Sequence, residues 1–126
     1  MPVEIESMMG NILIVFIVVF VLSMYGFFLI DKIVKHLYES YRSEWVRAGK
    51  PCGMFFYPEK TRNINSMLAM QKNAFIWLFR TPFWMKSDMV LLSYLKKLRY
   101  SVIISNLGML LLFVYVALAI QGVVDH

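Results

Sequence analysis

Residues that carry chemistry are scarce in this chain. Its 126 residues include one cysteine, Cys52, and two histidines, His36 and His126. A single cysteine excludes an internal disulfide and fits a reducing compartment. No His or Cys cluster has metal-ligand spacing, and no glycine-rich phosphate loop occurs. Asn-x-Ser/Thr sequons are absent, residue 2 is proline where myristoylation needs glycine, and no C-terminal prenylation box is present. These absences point away from an enzyme, and no cofactor or metal is expected.

Charge is missing from two long stretches. Asn11–Ile30 and Ser101–Ile120 each run for 20 residues without Asp, Glu, Lys or Arg. At about 1.5 Å per helical residue, each spans roughly 30 Å, the hydrocarbon thickness of a bilayer. Neither holds an ionisable group of the kind that marks an ion path. Basic residues are equally absent outside these runs. All thirteen Lys and Arg lie between Lys32 and Arg99, against five acids in residues 31–100, a net +8. The outer segments carry only Glu4, Glu6 and Asp125. Basic residues stay on the cytoplasmic side, so both termini are expected outside and the middle in the cytoplasm. That places His36 and His126 on opposite sides, unable to share a site. The acidic N-terminal segment is unlike a signal-peptide n-region, and no small-residue cleavage site follows the first run, so it reads as an uncleaved anchor. The basic balance does not imply nucleic acid, because the topology signal explains it.

What is present is apolar: 60% of residues are hydrophobic, with ten Met and twenty aromatics. The expected fold class is an all-α membrane protein, a two-transmembrane-helix antiparallel hairpin with a cytoplasmic helical subdomain at the membrane surface. Its segments are an acidic extracytoplasmic tail (1–10, frayed), a first span (11–30), a basic cytoplasmic region (31–100), a second span (101–121) and a tail (122–126).

Within the middle region, Ile33, Leu37, Tyr41 and Trp45 recur every fourth residue, which predicts an amphipathic helix running to about Ala48. Gly49, Pro51 and Gly53 stop it. Asn63 or Asn65 caps a second helix to about Phe79, its apolar face holding Ile64, Met67, Leu68, Phe75, Leu78 and Phe79. Pro82 ends that helix. Ser87 or Asp88 caps the last one, with Leu91, Leu92, Leu95 and Leu98 inward.

Two sets of candidate functional residues emerge. Ser23 and Gly26 fall at a depth similar to Ser105 and Gly108, so these are expected to face one another, with Asn106 bonded across the pair or to a partner helix. Phe55, Phe56, Tyr57, Phe75, Trp77, Phe79, Phe83 and Trp84 form clusters too short to span and too apolar for water. They either fold back on a small core with Trp45 and Leu91, or dock on the bilayer or another protein. Anionic headgroups are a further expected contact of the basic loop.

The order of parts also carries a resemblance. A span leads to Tyr41-Arg42-Ser43-Glu44-Trp45-Val46-Arg47-Ala48-Gly49, a Gly/Pro turn and Phe55-Phe56; Ser87-Asp88 then opens a helix with Leu91-Leu92-Ser93-Tyr94-Leu95-Lys96-Lys97-Leu98-Arg99 that feeds the last span. This layout is similar to small two-span bacterial inner-membrane proteins of the universal stress protein B type. The resemblance implies a bacterial inner-membrane location and a link to stress, and it supplies no catalytic residues. The functional expectation is a non-catalytic accessory or regulatory subunit that binds a larger membrane complex. The alternative is a self-assembling homo-oligomeric scaffold or holin-like permeabiliser.

Overall fold

The computed structural model describes residues 3–124, and these are helical with no strand among them: α1 Val3–Ser40, α2 Arg42–Arg47, α3 Ile64–Phe79, a 3₁₀ turn Phe83–Met85 and α4 Met89–Val124. The segments containing Met1, Pro2, Asp125 and His126 lie partly outside the described residues. Helix α1 already begins at Val3, inside the segment expected to fray. Glu4 and Glu6 in its first turn favour this start, since carboxylates suit the positive end of a helix. Two helices, α1 and α4, are long and apolar enough to cross a membrane.

The chain divides into two compact units, residues 1–24 with 101–126, and residues 25–100. In the first unit the less exposed positions of α1 include Ile5, Met8, Ile12, Val15, Val19 and Leu22, spaced three and four apart. On α4 they include Ser101, Ser105, Gly108, Leu112, Val116 and Ala119. This is the seam spacing of packed helices, and the small residues on α4 allow close approach. A methyl at Gly108 would sit 3.0 Å from Val19 Cγ2. Ser101 Oγ donates to the Leu22 carbonyl at 2.7 Å.

The second unit has its own core of Leu29, Ile33, Val34, Leu37, Trp45, Cys52, Met70, Trp77, Met85, Leu91, Leu95 and Leu98. Leu91, Leu95 and Leu98 face inward as their spacing predicts, while Leu92 is half-buried. The helix expected to run to Ala48 instead breaks at Tyr41, whose φ of −133° and ψ of 54° leave helical space. The break carries the Tyr41 ring to 5.1 Å from Trp84 and its hydroxyl to Asp88. Helix α2 then closes with a Schellman motif: Gly49 N–H bonds to Val46 O, and Lys50 N–H to Trp45 O. Gly49 sits at φ +94°, where glycine pays no Cβ penalty. Trp45 Nε1 donates to Pro51 O at 2.9 Å, tying the following turn to the core.

Asn63 caps α3 by accepting from Ser66 N–H. Helix α3 ends at Phe79, where Arg80 turns extended two residues before Pro82. Asp88 caps α4, its Oδ1 accepting from Val90 and Leu91 N–H.

Candidate functional site

The expected docking residues separate by face. Trp77 is core, Trp84 and Phe56 are half-buried, and Tyr57 is exposed. Phe55, Phe75, Phe79 and Phe83 are strongly exposed, Phe83 the most at 87%. Part of these clusters therefore packs on the core, and part is left exposed.

Helix α3 accounts for the division. It presents Ser66, Met70 and Trp77 to the core, while Ile64, Leu68, Phe75 and Phe79, which share one face by their spacing, point away from it. Exposure reaches 72% at Ile64 and 77% at Phe79. The apolar face expected from the sequence exists, but it is turned outward. Asn73 explains the orientation in part: its amide donates to Ala48 O at 2.9 Å, fixing that side of α3 against the end of α2. At the other end Arg99 donates to Trp77 O and to Thr81 Oγ1, at 3.0 and 2.7 Å. Lys72, Arg80 and Lys86 are exposed on or beyond α3.

Among the span residues, two contacts within the first unit stand out. Gly108 meets Val19, and the hydroxyl that bonds between segments is Ser101's. Ser105 is half-buried with a hydroxyl that makes no hydrogen bond. Ser23 is half-buried, and Gly26 belongs to the second unit, where it is buried. Depth by helix rise does not fix rotation about the helix axis, and it is Val19 that a methyl at Gly108 would meet. Asn106 is not bonded across the pair. Its side chain is exposed, and Nδ2 donates to Val102 O of its own helix at 2.8 Å.

Two polar clusters of the second unit escaped the reading of the sequence. Asp88 Oδ2 accepts from Tyr41 Oη at 2.7 Å and from His36 Nε2 at 2.9 Å, while Oδ1 caps α4. The Tyr41 hydrogen bond, then those from His36 and the Leu91 N–H, hold the Asp88 carboxyl at a pKa of about 2 despite partial burial pushing the other way. The same bond raises the Tyr41 phenol above its usual value. Asp31 is the second case. Its carboxylate accepts from Phe55 N–H at 3.1 Å and lies against Gly53, so close that a Cβ there would collide with it. Asp88 was visible only as a helix cap, and Asp31 only as the acid that ends the first uncharged run.

A cavity of about 180 Å³ beside the Asp88 cluster is lined by Leu37, Glu44, Arg47, Trp77 and Trp84, among others. Among the described residues, no group of three His, Cys, Asp or Glu is placed to hold a metal ion. The Asp88 constellation thus acts as a clasp, joining α1 and its break at Tyr41 to the start of α4. Comparison with family models, curated proteins and solved structures finds no match to this chain.

Proposed function

We propose that this chain is a non-catalytic integral membrane subunit that binds a larger membrane protein complex in an accessory or regulatory role. In this reading α1 and α4 cross the bilayer as an antiparallel hairpin, with both termini outside and the basic region cytoplasmic. Exposure supports membrane residence. Only 17% of the most apolar window of α1 and none of that of α4 is buried, whereas the core helix of a soluble protein would be mostly buried. The distribution of Lys and Arg supports the orientation. The resemblance in layout to proteins of the universal stress protein B type supports a bacterial inner membrane and a stress-linked role.

Asn106 carries the partner assignment. It stands about 8 Å into an uncharged run by helix rise, exposed, with its amide satisfied only through its own helix. A side-chain amide facing hydrocarbon is costly, and a second helix supplying hydrogen bonds removes that cost, worth about 1 kcal/mol in such settings. The alternative reading, a homo-oligomeric scaffold, draws on the same residue, because an amide carries both donor and acceptor and can pair with its own copy.

Gentle native purification of the tagged full chain from its host tests both. A stoichiometric partner that falls at least about fivefold in yield with Asn106→Leu is expected, from the worth of one such hydrogen bond. A single-species homo-oligomer disrupted by the same substitution would favour the scaffold. A monomer in both chains would contradict the two readings together.

A further inference from the structure

Helix α3 turns a second apolar face outward: Ile64, Leu68, Phe75 and Phe79 are exposed on the side away from Trp77. Burial of Trp77 and Met70 shows that the helix is already seated on its core, so this face is surplus to the folding of the unit. Phe75 and Phe79 pack edge-on at a centroid distance of 5.1 Å, forming one aromatic block with 65% and 77% of their surfaces open. Gln71 sits between this block and Ile64 and Leu68.

We infer that α3 is an interfacial helix whose outward face takes anionic bilayer lipid, with Ile64, Leu68, Phe75 and Phe79 at the acyl boundary. This rests on the membrane reading above and names the lipid as a ligand of the second unit. Three observations select lipid over a protein. The unit is entered from an apolar run and left into another with no spacer, so a bilayer is always within reach. It holds all thirteen basic residues of the chain against five acids, which complements an anionic leaflet. Exposed Lys72 and Arg80 bracket the aromatic block in the chain, three residues before Phe75 and directly after Phe79, where headgroups would lie. Gln71 sets the depth, because burying its amide in hydrocarbon is costly while the headgroup boundary hydrates it.

Nitroxide labels on the full chain test this in vesicles of phosphatidylcholine, with and without phosphatidylglycerol. The labelled positions are Phe75→Cys, Phe79→Cys, Ser43→Cys at an exposed position of α2 and Phe113→Cys on the exposed face of α4. Cys52 stays in place, because it is buried and burial pushes its thiol pKa up, which disfavours the reactive thiolate. The unsubstituted chain gives its background, and unchanged helical circular dichroism shows that each variant folds.

With phosphatidylglycerol present, labels at Phe75 and Phe79 should collide with a water-soluble nickel chelate about fivefold less than the label at Ser43, and more with oxygen. Nickel access at Phe79 equal to that at Ser43, with Phe113 still oxygen-accessible, would overturn the inference alone. Exclusion of both reagents at Phe75 and Phe79 would also overturn it, and would mean that protein covers the face. Immersion equal in both lipid mixtures would overturn the choice of anionic lipid. Nickel access at Phe113 would instead overturn the membrane reading on which the inference rests.

Discussion

Asp88→Ala lowers the stability of the second unit by about 2–3 kcal/mol, close to the sum of a lost helix cap and weakened hydrogen bonds to a charged acceptor. One carboxylate receives Tyr41 Oη, His36 Nε2 and two backbone N–H groups of α4, so removing it leaves partners on three segments without an acceptor. Asp88→Asn retains the cap geometry and should cost less. Acid acts on the same group. Its folded pKa of about 2 lies below the 3.8 of an ordinary aspartate. A depressed carboxyl pKa gives stability that is fully present above the unfolded value and lost as pH falls through the folded one. About 1–2 kcal/mol should therefore disappear between about pH 4 and pH 2, and not in Asp88→Ala. Fluorescence-detected unfolding in mild detergent, read through buried Trp45 and Trp77, measures both. A variant with unchanged stability and an unchanged acid limb would remove the clasp from this account.

Gly53→Ala should cost about 2 kcal/mol or more, because the new methyl would occupy the space of the Asp31 carboxylate. To make room, that carboxylate must leave the Phe55 N–H, and the added Cβ would also come within 3.2 Å of Asp31 Cα, so a rotamer change alone is insufficient. Position 53 needs glycine for this contact and not for a left-handed backbone, in contrast to Gly49. The two explanations separate in a double mutant. In an Asp31→Ala background, Gly53→Ala should cost at least about 1 kcal/mol less than it does alone, the non-additivity expected of touching residues. Additive costs would mean that Gly53 is constrained by something other than Asp31.

The helices themselves were legible because their signals are local: two uncharged runs of spanning length, Asn63 and Asp88 as caps, Gly49 as a stop and Leu91, Leu95 and Leu98 at inward spacing. The break at Tyr41 was not legible. Its four-residue spacing fits a continuous helix, and only the distant Asp88 rewards leaving it. The outward turn of α3 escaped for a related reason. Periodicity locates an apolar face without saying what it faces, and Asn73 and Arg99, which orient this helix, act through carbonyl contacts 25 and 22 residues away. Asn106 was visible as a polar residue in an apolar run, but its bond to Val102 within α4 depends on a rotamer.

The proposed function depends on two spans with the basic region cytoplasmic, and cysteine accessibility tests that most directly. Glu6→Cys and Lys72→Cys are each treated in intact cells with a membrane-impermeant thiol reagent, with the unsubstituted chain reporting Cys52. Modification of Glu6→Cys in intact cells, and of Lys72→Cys only after the membrane is opened, is the result expected. Modification of Lys72→Cys from outside, or recovery of the chain in the soluble fraction after alkaline extraction, would contradict it.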